Sequence, residues 1–167
     1  MINVRKGNAH SLAQTDFIGA LKASEGVVAG MLVYKNTSGE IELVESATAA
    51  DALVGFAVTN QDEGDAIESG KIGAYALDGG SVIETDQFTG SYSAADVGKP
   101  VIYSGTAGKV KAVAKSTLAI GQANYGARVY GRVFDAPRNV FVGQTAVQVL
   151  PIKLGSGEIP DTDTDVS

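Results

Sequence analysis

Gly30-Met31-Leu32-Val33-Tyr34-Lys35-Asn36-Thr37-Ser38-Gly39-Glu40-Ile41-Glu42-Leu43-Val44 decides the fold class, because it reads as one complete β-hairpin. Its two arms are apolar and rich in β-branched and aromatic residues. Residues 36–39 between them tolerate turn dihedrals, and Gly39 is free to take φ > 0. A later stretch, GKPVIYSGTAGKVKAV over residues 98–113, repeats the pattern. Tyr34, Gly39, Ile41 and Val44 align with Tyr103, Gly108, Val110 and Val113 at one constant offset, 103 − 34 = 69. A shared offset marks two copies of one supersecondary unit, and two copies are too few for an open solenoid. The pair is therefore expected to share a core.

Composition agrees with short strands joined by tight turns. Of 167 residues, 44% are hydrophobic and only 19% charged, with 21 Gly, 4 Pro and no Trp. Frequent glycines disfavour long helices. The net charge of −6 argues against a general nucleic-acid binder, which needs a basic face to neutralise phosphates. The absence of cysteine excludes disulfides, thiolate metal sites and Cys nucleophiles. No apolar run is long enough to span a membrane as a helix, and residues 1–7 have no apolar stretch behind them of the kind a secretory signal needs.

Outward from the first hairpin, residues 1–26 hold Arg5, Lys6, His10 and Lys22 against Asp16 and Glu25, a locally cationic end on an acidic protein. Its sparse apolar residues, Phe17 among them, lack sustained periodicity. An extended arm that orders on another surface, or a frayed terminus plus an edge strand, fits that pattern. Residues 53–59 form the next strand, where Gly55 signals a bulge or a close backbone approach. Residues 66–77 suggest one bent strand or two short ones.

Ser93-Ala94-Ala95-Asp96-Val97-Gly98 reads as a single helical turn capped by Ser93 and stopped at Gly98. After the second hairpin, residues 117–122 and 127–134 both resemble the Val54-Gly55-Phe56 strand, and the acidic or polar turn that follows favours 130–134 as the counterpart. Residues 140–143 and 145–151 close the sheet. The units are expected at about 27–85 and 93–154, within a β-domain over 27–154. Residues 155–167 read as a flexible acidic tail in which Asp161, Asp163 and Asp165 imitate the start of a calcium loop without its glycine or distal glutamate.

Catalytic patterns are missing. His10 is the only histidine, no Gly-x-Ser-x-Gly elbow precedes a helix, and neither P-loop spacing nor a dinucleotide fingerprint occurs. Carboxylate pairs such as Asp62/Glu63 and Glu84/Asp86 lie in or near turns, where solvation explains them. The reading is of a non-enzymatic protein with no cofactor or metal. Tyr34, Tyr75, Tyr103, Tyr125 and Tyr130 suit core or interface positions, with a carbohydrate platform as the alternative.

The run Ser93-Ala94-Ala95-Asp96-Val97-Gly98-Lys99-Pro100-Val101-Ile102-Tyr103 with Gly108-Lys109-Val110 resembles the small decoration, or cement, proteins of tailed-bacteriophage heads. Gly30-Met31-Leu32-Val33-Tyr34 with Gly39-Glu40-Ile41 and Leu53-Val54-Gly55-Phe56-Ala57 is similar to the same family's recurring unit. The resemblance covers residues 27–150. It implies an all-β barrel or β-tulip on the outer surface of a virion capsid, bridging subunits of the major capsid protein as a homo-oligomer, a trimer or else a dimer. It also implies an N-terminal arm lying on the shell, and Arg5, Lys6, His10, Phe17 and Lys22 are the capsid-binding candidates. Deleting residues 1–26 is expected to leave a folded barrel. Two other readings stay open: a tail-tube or baseplate β-protein, and a carbohydrate- or ligand-binding barrel.

Overall fold

Apolar runs separated by glycine turns become twelve strands among the described residues of the computed structural model, which are 2–6, 17–22, 25–46, 48, 52–58 and 71–157. In chain order they are β1 (Ile2–Lys6), β2 (Phe17–Leu21), β3 (Leu32–Lys35), β4 (Glu40–Leu43), β5 (Leu53–Ala57) and β6 (Lys71–Ala76). Then follow β7 (Val82–Thr85), β8 (Pro100–Tyr103), β9 (Val110–Ala112), β10 (Gly131–Val133), β11 (Arg138–Val142) and β12 (Thr145–Leu154). The chain is all-β with a closed barrel, as its hairpins and glycines require.

The barrel runs β2-β4-β3-β5-β6 and closes where β6 returns to β2. Only the β2–β4 contact is parallel. Phe17, Val33, Ile41, Ala57, Ile72 and Ala74 fill its interior with Val27. Gly55 marks the close approach its sequence position predicts: a Cβ there would lie 2.2 Å from the Tyr75 carbonyl oxygen and 2.7 Å from Phe17 Cε1.

The second sheet has the order β1-β7-β12-β10-β8-β9, with β11 added beside β12. Its run β9-β8-β10-β12 repeats the barrel's β4-β3-β5-β6, antiparallel throughout. Gly131 on β10 does what Gly55 does on β5, since its Cβ would lie 2.4 Å from the Lys153 carbonyl oxygen. Residues 130–134 are thus the counterpart of 54–56, while Lys115–Leu118 is a 3-10 turn. Even the closing strand has an echo. Beyond β7 the chain returns beside β9, where Val110 N donates to Gln87 O at 3.2 Å and Thr89 N to Val110 O at 2.9 Å.

Register refines the repeat. Val33 faces Gly55 and Val101 faces Gly131, so β3 maps onto β8 with 101 − 33 = 68, while Ile41 and Val110 keep 110 − 41 = 69. The extra residue lies in the turn: Asn36 N reaches Glu40 O in the first hairpin, and Ser104 N reaches Lys109 O in the second. Tyr34 and Tyr103 therefore match in sequence but not in position. The unit boundaries shift as well, because β7 joins the second sheet, and β2, expected in an arm, belongs to the barrel.

The joint between the bodies is built from backbone. Leu32 N donates to Gly108 O (2.7 Å), Gly108 N to Val44 O (3.1 Å) and Val44 N to Leu32 O (3.0 Å). Gly108 sits at φ +68°, where a Cβ would come 2.8 Å from Leu43 Cδ2, so glycine alone fits without strain. Beside this joint Leu32, Val54 and Phe56 turn outward from the barrel and pack with Ile83, Val101, Val133, Leu150 and Ile152. Each such burial stabilises by about 1.5–3 kcal/mol. The two units share that core.

The capped turn forms as its sequence predicts: Ala95 N donates to Ser93 Oγ, Ser93 N to Asp96 Oδ2 at 2.7 Å, and Gly98 takes φ +86°. The N-terminal arm is corrected over its described part. β1 pairs with β7 and β2 closes the barrel, because both carry apolar residues in strand register with open neighbours. Removing residues 1–26 would remove β2, so the expectation of an intact barrel after that deletion is withdrawn. The acidic segment 158–167 lies outside the described residues, as do residues 59–70. No helix among the described residues is long and apolar enough to cross a membrane.

Candidate interaction surface

The capsid-binding candidates separate in space. Arg5 and Lys6 lie on β1, the outermost strand of the second sheet, with Lys6 at the register position opposite Val82 and an irregularity between Val4 and Lys6. His10 lies outside the described residues. Phe17 is corrected: at 7% exposure it is part of the barrel core and touches no partner unless the barrel opens. Lys22 is exposed, but its Nζ is 2.7 Å from Glu42 Oε2.

Around Glu42 a polar network crosses the first hairpin. Besides Lys22, its carboxylate accepts from Tyr34 OH (3.0 Å) and Asn36 Nδ2 (2.6 Å). Desolvation pushes the Glu42 pKa up, and the hydrogen bonds from Lys22, Asn36 and Tyr34 outweigh it, leaving Glu42 below its ordinary value. Glu25 moves the other way. Desolvation raises it, the charges of Glu42 and Glu45 add to the rise, and the Leu43 N–H is only a partial offset. Four carboxylates, those of Glu25, Glu40, Glu42 and Glu45, thus crowd this side of the barrel.

A second feature is the β11–β12 ribbon. Its register places Val140 opposite Val147 and Val142 opposite Thr145 on one face, with Phe141 opposite Ala146 on the other. Among the described residues β11 pairs with β12 alone. Phe141 is 74% exposed and Val142 53%, whereas Val149 at the ribbon's root is fully buried. The root is fastened across the sheet by Arg138, whose Nε and Nη2 donate to the buried Glu84 carboxylate at 2.8 and 2.5 Å. That bidentate contact raises the Arg138 pKa further.

A third feature is cationic. Arg132 on β10 pairs directly with Lys153 on β12, and both are exposed. Lys153 in turn pairs with Val82, the partner of Lys6, so Lys6, Lys153 and Arg132 occupy one transverse row of the sheet. Sequence reasoning missed this row because it stopped at the net charge. The signal lies in the distribution: residues 97–157 hold eight Lys and Arg against Asp135 alone, a net of +7, while the rest of the chain holds five against 18 acids, a net of −13.

Of the tyrosines, Tyr130 is buried with Tyr34 and Tyr103 packed against the same core, Tyr34 also serves Glu42, and Tyr125 stands exposed on a loop. Among those residues no group of His, Asp or Glu is placed to hold a metal ion. Comparison with known proteins returns no matching family model, no matching curated protein and no matching solved structure.

Proposed function

We propose that this chain is a structural protein of a tailed-phage virion, a decoration protein that binds the outer face of the head and bridges neighbouring subunits of the major capsid protein as a homo-oligomer. The observation that carries the reading is the β11–β12 ribbon. A two-stranded ribbon is marginal in water by itself, and a tip bearing Phe141 and Val142 gains stability when another surface covers it. A rigid joint at Gly108 supports the same reading, because a clamp transmits force only if its halves do not hinge.

Binding acts through mass action. Ligands that occupy only the assembled shell stabilise it, and linked weak contacts add by effective concentration. The ribbon supplies one contact, and Arg5 and Lys6 on the outermost strand supply another. The test follows the protein through a density gradient of lysate from its source. Comigration with DNA-filled heads that become fragile when it is stripped supports the reading. Comigration with tails alone moves it to a tail or baseplate protein. Absence from every particle, with saturable glycan binding by the monomer, replaces it with a ligand-binding barrel.

A further inference from the structure

Two faces of this molecule crowd charges of opposite sign. On the second sheet Arg132 and Lys153 stand directly opposite each other across β10 and β12. Like charges so placed in an antiparallel pair repel. Arg132 directs Nη1 to the Gly98 carbonyl at 3.2 Å, and among the described residues no carboxylate pairs with either cation. Three other cations of the region are committed internally: Arg138 to Glu84, Lys99 to Asp96, and Arg128 to the carbonyls of Ala52 and Gly157. Lys111 faces Ile102, and Lys109 and Lys115 lie outside the strands, so none of these stands opposite another cation in the sheet. Arg132 and Lys153 are therefore the pair that an outside anion would relieve.

The barrel has the converse problem. Glu25 lies under the like charges of Glu42 and Glu45, with Lys22 paired to Glu42. Glu45 is exposed, and Glu40 is partly exposed on the same hairpin.

We infer that the Arg132–Lys153 face of one copy docks on the Glu40–Glu45 side of the barrel of a second copy, a head-to-tail contact between opposite charges. The occupant is a second copy because the chain itself supplies both faces, Arg132 and Lys153 on one and Glu40, Glu42 and Glu45 on the other, within a chain whose sequence outside residues 97–157 is an acidic remainder of −13. A polyanion such as a nucleic acid would meet the same cations but also that acidic remainder, which repels it. A head-to-tail contact uses different patches on each partner, so it closes into a ring or extends as a filament. This deepens the homo-oligomer within the decoration reading, and it is tested without heads so that the two ideas fail separately.

The test is sedimentation velocity on the purified full chain at about 50 mM and about 500 mM salt, since the Debye length that screens exposed charges falls from about 14 Å to about 4 Å over that range. The wild type is expected to associate at low salt and at least about tenfold more weakly at high salt. R132E/K153E and E40K/E45K are each expected to sediment as monomers that still unfold cooperatively. Mixed together they are expected to associate in a 1:1 ratio, because each retains the face the other has lost and the reversed faces also complement each other. A wild type that stays monomeric at low salt overturns the inference. So does either double variant that associates like the wild type, or a mixture in which the two variants do not associate. Displacement of the second copy by a short random DNA duplex would assign the cationic face to nucleic acid instead.

Discussion

The two repeated units use one strand order and one glycine device, yet one closes completely and the other stays open along an edge. In the barrel β2 pairs with β6 over Phe17–Ala20 and with β4 at Ala20 and Leu21, which closes the ring. In the second sheet the corresponding strand, β7, pairs fully with β12 but reaches β9 only through the residues that follow it. β7 also accepts β1 on its far side, and β12 extends outward as the ribbon. The closed copy is thus built as scaffold, while the open copy carries the surfaces that reach outward. Closure removes edges, and edges are where other chains pair.

The largest effects should come from the glycines that both units share. Gly55→Val and Gly131→Val each drive a side chain into a backbone carbonyl, at 2.2 and 2.4 Å. Both should cost about 3–5 kcal/mol, read by denaturant unfolding. The comparison predicts an order: G55V should be the worse, because a closed barrel has no edge through which to relax. If G131V proves equally disruptive, the second sheet is as rigid as the barrel and the contrast fails.

Gly108→Val comes next. It attacks neither unit but the joint, where φ is +68° and Leu43 Cδ2 lies 2.8 Å from the position of a Cβ. A loss of about 2–4 kcal/mol is expected. The wild type should melt in one transition, because the core spans both units, and G108V should split it in two by calorimetry. A single transition in the variant would mean that the shared apolar core alone couples the units.

Glu84→Ala tests the ribbon's root. Glu84 is 1% exposed and holds Arg138 by two hydrogen bonds, so its loss should destabilise by about 2 kcal/mol. Hydrogen exchange should locate the loss: amides of β11 are expected to exchange faster while those of the barrel keep their protection. Uniform loosening would show that the ribbon is not a separable element.

Much of the architecture was legible because it rests on local chemistry. Asn36 to Gly39 specify a turn, Ser93 and Asp96 cap one, and Gly55 and Gly131 announce strands that pass too near a neighbour for a side chain. β2 was not legible, since its role is set by long-range pairing: Phe17-Ile18-Gly19-Ala20-Leu21 has no marked alternation and becomes barrel only because β4 and β6 offer edges. The one-residue slip between the hairpins was hidden for a similar reason, as aligned tyrosines disguised a longer turn. The cationic row failed to emerge because Arg132 and Lys153 are 21 positions apart and meet only through register.

The smallest effect separates the two units by pH. Glu42 in the barrel has a folded pKa below its ordinary 4.5, through hydrogen bonds from Lys22, Asn36 and Tyr34 that outweigh desolvation. A depressed carboxylate stabilises the fold above its unfolded pKa, and that contribution is lost as pH falls through the folded value. Acid should therefore weaken the first hairpin below pH about 4.5, and Glu42→Gln should flatten the acid limb of the stability curve by less than about 1 kcal/mol. Glu25 opposes this trend, because its pKa is raised chiefly by desolvation and protonation there relieves repulsion with Glu42 and Glu45. Hence E25Q should raise stability at neutral pH, where E42Q lowers it. Equal signs for the two variants would mean that the carboxylates of this face do not act on one another, and the barrel's acidic side would lose the internal tension that sets it apart from the second sheet.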